Sequence, residues 1–582
     1  MRLLLLALLT FALAAGDAPT AAGLALRLSP GTAAPRAGGP LPVLLNATWD
    51  GKELRTGRPR VTLRGEGVLG HWLGPELTIA PGERSVRLWL PPWWDGTTSL
   101  DADLTWEEAG RSYALGRFEL LTQPNARRVL ALWSVTTVGA DPAPPMEVLA
   151  LERHLKQVGV PSLDTSRGHT PPFTTLVNRC AVADAPATPA QWCAADAVWL
   201  GPQAAAALDE RQWAALDAWL RAGGAVWLTG TAGVPAARLA AWGVGGPGPA
   251  AATMVDQGRL VVAGVDAADG ALARAFWRCP LTPDAEGLLT EPFGLGHMVH
   301  DRSPYDTDGT AALIQALMPT NVTVVPLWVL LAIYAGYLLL VGPGEWFGLG
   351  RLGLRRWTWV VFPITTALAT GLTMAVAYGY LGGQDHHRRL EVIDCDAAGT
   401  ALRTVRFDLH FNGGDQDLVD TAPGGLTTVV PRHQDGDRYG NGRRSADLDV
   451  SADVPTVIQG DPGEVHLRLR QWSPVLRRTT TFGGVHAPAH PAWSATRNRD
   501  SADFQATGRP PISETLVRQL CLGHPWWNQL ITAQSTRPGT AWDDLGLDQD
   551  VRLAMDETDG VLRLWRTTVA ASRGRGVAES TP

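Results

Sequence analysis

Two long uncharged runs, joined by a short arginine-bearing connector, constrain this chain more than any other feature. Val324 to Val341 reads VVPLWVLLAIYAGYLLLV and holds no charge. Trp357 to Leu381 reads WTWVVFPITTALATGLTMAVAYGYL, again without one. At about 1.5 Å per residue the first run reaches about 27 Å, enough to cross a hydrocarbon core of about 30 Å with little tilt. Trp328, Trp346, Trp357 and Trp359 stand near the ends, where interfacial aromatics belong. Arg351, Arg355 and Arg356 lie between the runs. An arginine at a bilayer centre costs about 2.5–3.5 kcal/mol on the insertion scale, so the connector belongs outside the hydrocarbon. The expectation is a transmembrane hairpin: helices at 323–342 and 357–381 around a cytoplasmic loop at 343–356. The competing reading, a buried helix pair of a soluble protein, fits poorly with runs longer than a typical core helix.

The first residues, MRLLLLALLTFALAAGDA, carry one positive charge at Arg2, an apolar run and small residues at Ala12 and Ala14. That pattern reads as a secretory signal peptide over 1–18, with a plain N-terminal anchor as the alternative. It places the downstream domain outside the cytoplasm, and arginine-rich short loops stay inside. Both arguments point to a two-pass protein of a bacterial inner membrane with most of its mass extracytoplasmic. Arg388 and Arg389 after the second run weaken the charge asymmetry, so the signal peptide carries more of the orientation.

The outer parts divide by their apolar grammar. Residues 22–122 alternate apolar and polar positions in short bursts, such as VRLWLPP and LDADLTW, punctuated by APGE and WDGT. Period two at turn-separated spacing predicts a β-sandwich of immunoglobulin-like size. From 126 to 315 the pattern changes. RRVLALWSV, ADAVWLGP and AVWLTG are continuous apolar strands suited to a buried parallel sheet. Between them LDERQWAALDAWLRAGG predicts a helix capped by Asp209, with an apolar face of Leu208, Trp213, Leu216 and Leu220, ended by Gly223-Gly224. Alternating strands and helices predict an α/β domain, with TMVDQGRLVVAGVD as a hairpin near its end. Residues 388–490 return to alternation and predict a second sandwich. The mixed region 491–582 ends in a tail, SRGRGVAESTP, expected to be disordered. The fold class is therefore multidomain, α/β plus all-β.

Composition excludes little but is useful. The net charge is -7 over 582 residues, without the clustered positive charge that a nucleic-acid surface needs. Cys180 and Cys193, in CAVADAPATPAQWC, are the candidate disulfide of an exported chain. Closing that loop would contribute about 3 kcal/mol in the chain-entropy picture. Cys279, Cys395 and Cys521 are scattered without C-x-x-C spacing and read as buried thiols rather than zinc ligands or nucleophiles.

The order of the α/β segment and its ALDAWLRAGGAVWLTG stretch resemble class I glutamine-amidotransferase-like domains. Such domains occur in bacterial inner-membrane proteins that also carry β-sandwiches and a hairpin with a GP…W…P pattern, here Gly342-Pro343, Trp359 and Pro363. The resemblance implies a flavodoxin/amidotransferase-like fold. It also implies, in active members, a cysteine on a sharp turn after a central strand, beside backbone N–H donors that stabilise an oxyanion. The equivalent place here is Gly201-Pro202-Gln203, with neither cysteine nor serine. Thr229-Gly230-Thr231 offers hydroxyls without an evident base.

Other candidates read first as loops. His297, His300, Asp301, Asp306 and Asp308 have metal-ligand chemistry but fall in a linker before the hairpin. His386 and His387 are adjacent in extended chain and point to opposite faces, so both cannot easily hold one ion. QDGDRYGNG at Gln434 lacks the later bidentate acid of a calcium loop, and GVGGPGP at Gly243 follows no strand directly. The expectation is thus no catalytic, cofactor-binding or metal residue, and no cofactor. The chain is expected to be a non-catalytic membrane protein. Its partners would be the lipid bilayer and an envelope or membrane protein, with no nucleic acid and an unknown small-molecule ligand. An envelope hydrolase sited in the α/β domain and a signal transducer acting through a partner are the alternatives.

Overall fold

The computed structural model describes residues 23–32, 39–64, 68–91, 99–122, 129–137, 141–149, 174–244, 251–264, 325–353, 355–421, 425–429, 455–459, 463–497, 504–507, 510–512 and 549–570, with a few single residues between 266 and 319. The expected signal peptide, the His297–Asp308 stretch, Cys279, Cys521, the Gln434 loop and the C-terminal tail lie outside the described residues.

The first unit is built from β1 (Leu24–Pro30), β2 (Leu41–Trp49), β3 (Arg55–Arg64), β4 (Val68–Leu73), β5 (Leu77–Ile79), β6 (Gly82–Leu90), β7 (Ser99–Glu108) and β8 (Arg111–Thr122). Strands β1, β2 and β6 form one antiparallel sheet, while β4, β3, β7 and β8 run side by side in a second, with β5 pairing β3. The period of two decides what is buried. Leu24, Leu26 and Leu28 point inward along β1, and Ala25 and Arg27 point out. They meet Val61, Leu63, Trp72, Leu104 and Trp106 from the second sheet.

The second unit carries β9 (Val129–Thr136), β10 (Thr174–Ala181), β11 (Ala197–Leu200), β12 (Ala225–Leu228), β13 (Ala251–Val255) and β14 (Gly258–Val262), in the order β10-β9-β11-β12-β14-β13. All pairings are parallel except β13 with β14, the expected hairpin. Every residue of β11 and β12 is buried, as the unbroken apolar runs require of a sheet covered on both faces. The helix Glu210–Arg221 begins with a capping box: Gln212 N–H donates to Asp209 Oδ1 at 2.7 Å, and Asp209 N–H donates to Gln212 Oε1 at 3.0 Å. Its buried face holds Trp213, Leu216 and Leu220.

Tryptophan fills the layers between helices and sheet. Trp199 and Trp227, on neighbouring strands, stack at 5.2 Å, while Trp133, Trp192 and Trp219 form a chain of ring contacts on the other face. Cys180 and Cys193 both lie in this core as thiols, not as the expected disulfide. Cys180 Sγ is 3.6 Å from an Arg87 amine, and Cys193 Sγ donates to Pro189 O at 3.7 Å, so the two sulfurs serve different neighbours. Burial pushes the Cys180 thiol up to about 11 against the opposing pull of Arg87, which disfavours the thiolate.

Two helices, Leu327–Arg351 and Thr358–Leu381, are long and apolar enough to cross a membrane, and their side chains are almost wholly uncovered by protein. The first runs beyond the expected end at 342. It passes through a π-helical turn, Leu340–Gly344, and continues as Glu345–Arg351. Pro343 has no N–H to give the ladder, and the wider turn accommodates it. The expected loop 343–356 is therefore mostly helical. The helices are tied by Tyr337 Oη with Thr366 Oγ1 at 3.2 Å, and by a buried bond from Thr365 Oγ1 to Glu345 Oε1 at 3.0 Å.

The last unit contains β15 (His386–Cys395), β16 (Ala401–Phe411), β17 (Gln416–Thr421), β18 (Leu426–Val429), β19 (Thr456–Ile458), β20 (Glu464–Leu469), β21 (Val475–Phe482), β22 (Trp493–Arg497), β23 (Phe504–Thr507), β24 (Gln549–Thr558) and β25 (Val561–Ala570). One sheet runs β18-β21-β16-β15-β25-β24-β22-β23. The expected division at 490 does not exist in it: β25 pairs in parallel with β15, so residues beyond 490 complete the sheet begun at His386. Strands β17, β20 and β19 join the N-terminal sheet, because β19 pairs with β4 (Thr456 with His71, Ile458 with Leu73). The two expected sandwiches thus share a sheet. The end of the second apolar helix is fastened to the same unit. Trp472 Nε1 donates to Gly382 O at 3.0 Å, and its ring meets Tyr378 edge-on at 5.0 Å. Trp472 holds φ +59, a left-handed conformation that a bulky residue adopts only when its surroundings impose it.

A Cβ on Gly258 would lie 1.7 Å from Leu220 O, between hairpin and helix. Gly258→Ala is expected to cost about 3 kcal/mol through overpacking. Asp209→Ala, which removes only the cap, is expected to cost about 1 kcal/mol. Denaturant unfolding followed by tryptophan fluorescence measures both, and equal losses would contradict the close approach.

Candidate functional site

The strand order of the parallel sheet reverses between β9 and β11. In open α/β sheets ligands bind at such a reversal, outside the carboxyl ends of the strands. The turn after β11 is Gly201-Pro202-Gln203, the start of the helix Pro202–Ala207. Its first amides are already taken. Gln203 N–H donates to Asp141 Oδ1 at 2.9 Å, and Ala204 N–H donates to Asp141 Oδ2 at 3.1 Å. Thr137 N–H donates to the same carboxylate at 2.6 Å, and a Cβ on Gly201 would lie 2.4 Å from Asp141 Cγ. The donors that would face an oxyanion thus bind an internal carboxylate, a favourable charge at a helix N-terminus. Thr229 is no better placed to react, because its hydroxyl donates to Leu200 O at 2.9 Å.

A second cluster lies on the last unit, and strand register explains it. Period two puts His387, Arg389, Glu391 and Ile393 on one face of β15, and Thr404, Arg406, Asp408 and His410 on one face of β16. Pairing then sets these side chains in rows: His387 beside His410; Arg389, Asp408 and Arg477 across three strands; Arg563, Glu391, Arg406 and Thr479 across four; and Ile393, Thr404 and Thr481. The opposite faces of β15 and β16 supply Leu390, Val392, Val405, Phe407 and Leu409 to an aliphatic core.

Asp408 is the centre of the charged face and is fully buried. Arg389 Nε stands 2.7 Å from its Oδ1, His387 Nε2 3.0 Å from the same oxygen, Arg406 Nε 2.8 Å from Oδ2 and Arg477 Nη2 2.9 Å from Oδ2. Arg477, 2 % exposed, also pairs with Asp420 of β17, so the network bridges two sheets. Burial by itself would raise the Asp408 carboxyl; the His387 hydrogen bond and the Arg406 and Arg477 charges outweigh it and hold the group far below the usual carboxylate range. The His387 and His410 rings stack at 4.6 Å, and burial, with His387 and Arg477 adding to it, pushes His410 down to about 4. A separate buried ion cluster, Asp394 with Arg403 and Arg566, ends the aliphatic face. Cys395 beside it is pushed up to about 12 by burial and by Asp394 and Asp396.

The expected opposition of His386 and His387 holds: only His387 faces Asp408, while His386 lies across from Phe411. Among the described residues no group of three His, Cys, Asp or Glu could hold a metal ion. The Asp408 network escaped sequence reasoning, although its signal was present. RRLEVID, RFDLHF and VLRRTTTF each alternate charge or hydroxyl with apolar residues, and only the register shows that the polar positions coincide.

No protein-family model and no curated protein matches the chain. Among solved structures, a Paenibacillus cycloisomaltooligosaccharide glucanotransferase is 14% identical over 35% of this chain and 28% of its own, at a TM-score of 0.15. A calcium-binding mutant of Bacteroides uniformis β-glucuronidase 2 is 9% identical over 37% of this chain and 29% of its own, at a TM-score of 0.13. The chain spans under a third of the length of each, and likenesses this low bear on neither fold nor activity.

Removing the central carboxylate would leave the buried Arg477 and the half-buried Arg389 and Arg406 facing one another. Asp408→Asn is expected to cost about 3–5 kcal/mol, as when one partner of a buried pair is lost, with Asp417→Asn, on the exposed strand β17, within about 0.5 kcal/mol of the parent; thermal unfolding measures both. The acid limb stems from the same cluster. His410 has a folded value below its unfolded one, so the unfolded chain takes up the proton first. Its contribution is intact above about pH 6.5 and is lost as pH falls toward about 4. Asp408, also depressed, contributes above its unfolded value of about 3.9 and loses that contribution below it. Stability measured from pH 8 to 4 should therefore fall, and His410→Gln should flatten the decline; an unchanged slope would reject the assignment.

Proposed function

We propose that the chain is a non-catalytic, two-pass protein of a bacterial inner membrane whose extracytoplasmic domains bind or scaffold another component of the cell envelope. The observation that carries this reading is the Asp141 carboxylate on the amides of Gln203 and Ala204. On the resemblance to class I glutamine-amidotransferase-like domains, that turn is where a nucleophile and its oxyanion donors would stand. A glycine, a proline and an internal counter-charge occupy it instead. The strand order favours the flavodoxin/amidotransferase-like assignment of the α/β domain, and the two-sheet packing of residues 24–122 favours the immunoglobulin-like one.

Strand pairing supports the two-pass arrangement. Strand β19 comes after the two apolar helices and β4 precedes them, yet the two are hydrogen-bonded neighbours. Units that share a sheet lie on one side of a bilayer, so the chain between them crosses an even number of times. A signal peptide would put that shared side outside. The fastening of the second helix by Tyr378 and Trp472 gives the transducer reading its one specific support, a stiff joint between helix and sandwich.

Two measurements test the proposal. Protease added to intact spheroplasts should leave a tag beside Gly350 intact while the outer domains are cut; a severed tag with protected outer domains would invert the topology. Membrane-impermeant crosslinking in native membranes, read by mass spectrometry, should return one reproducible envelope neighbour, and its absence would reject a scaffold.

A further inference from the structure

Beside the Asp408 network a cavity of about 180 Å³ is lined by Glu391, Thr404, Arg406, Thr479, Thr481 and the Gly484-Val485 turn. It is smaller than the 300–1,000 Å³, roughly, of pockets for drug-sized ligands, so it suits one small molecule. Glu391 and Arg406 are register partners on neighbouring strands. Opposite charges so placed ordinarily pair with each other. Here they turn apart: Arg563 Nε bonds one Glu391 oxygen, Oε2, at 2.9 Å, while Arg406 uses Nε and Nη2 toward Asp408 and Asp420. One carboxylate oxygen and one guanidinium amine are left outside these ion pairs.

We propose that this cavity binds a small zwitterion of the α-amino-acid type, its carboxylate on Arg406 and the Thr479 and Thr481 hydroxyls, its ammonium on Glu391. The charges select that class. A simple anion would meet the Glu391 carboxylate, and a simple cation would meet the Arg406 guanidinium. The arginine side has charge to spare: among the described residues, Arg389, Arg406 and Arg477 pair with two carboxylates, Asp408 and Asp420. A neutral polyol would offer no opposite charge to the Glu391 oxygen and the Arg406 amine that stand outside these ion pairs. Two hydroxyls suit the carboxylate end: Thr479 can accept from Thr427 Oγ1 at 3.2 Å and keep its own proton for the ligand, and Thr481 lies beside it on the same strand. Thr404 donates its one proton to Gly483 O at 2.7 Å, so it presents lone pairs to the cavity and suits the ammonium end. Gly484, at φ +150, closes the wall; a Cβ there would lie 2.2 Å from Thr404 Oγ1.

The inference does not rest on the scaffold reading, and its test is separate. The full chain in phosphatidylethanolamine–phosphatidylglycerol nanodiscs is titrated calorimetrically with alanine, alanine methyl ester, acetate, glucose and inorganic phosphate. The expected result is saturable alanine binding, with the ester and acetate each at least tenfold weaker, since each lacks one of the two charges. Glu391→Gln and Thr481→Val should each weaken alanine at least tenfold while the melting temperature stays close to the parent's. The wild-type probe series stands by itself where a variant fails to fold. The proposal is overturned by no alanine binding, by acetate or the ester binding as tightly as alanine, by glucose or phosphate binding in its place, or by folded variants that keep the parent affinity.

Discussion

The pairing of β19 with β4 is the constraint on which most of this architecture depends. Three residues, Thr456 to Ile458, hydrogen-bond to His71, Trp72 and Leu73 across a gap of almost four hundred positions. That short parallel contact makes one continuous sheet out of strands that lie before and after the two apolar helices. It sets the sides on which the units can lie, and it places β17 and β20 opposite the sheet that holds Asp408. Without it the link between the N-terminal sandwich and the last unit would run through the α/β unit, which meets the first at Arg87–Asp184 and the second at Gln257, whose amide donates to Cys395 O at 2.9 Å.

Within the last unit the organising effect is register. Antiparallel pairing of β15, β16 and β21 aligns positions of like parity, so alternating sequences become rows of like chemistry. One face becomes an aliphatic core and the other a buried ion network. Burial makes such a network costly unless every member has partners. Asp408 meets that demand with four cationic or hydrogen-bonding neighbours and Asp394 with two arginines. These networks are better suited to specifying how sheets meet than to adding stability, because an aliphatic core of equal volume would serve stability as well.

In the α/β unit a distant carboxylate decides what the turn after a central strand can do. The sheet order reverses between β9 and β11 and a helix starts at Pro202, just after β11, and Asp141 caps that helix from within. The tryptophans of this unit obey the same logic. Trp133, Trp192, Trp199 and Trp227 are buried between helices and sheet, and their rings pack on one another rather than on the surface. Their abundance therefore reflects packing volume and not an aromatic binding surface.

What the sequence alone determined is local, because it stems from period and length along one stretch of chain. The capping box at Asp209, the buried runs of β11 and β12, the alternation of β1 and the length of the second apolar helix were all legible that way; the first helix runs on to Arg351, past the expected end at 342. The position of Asp141 was not, because a carboxylate over sixty residues from Gln203 leaves no mark on either segment. Nor were the sharing of a sheet by β4 and β19, the completion of β15 by β25, or the row joining Arg563, Glu391 and Arg406. Each is a pairing between distant segments with similar alternation. Many strands of this chain satisfy the same pattern, and only the packed tertiary structure chooses which of them become neighbours.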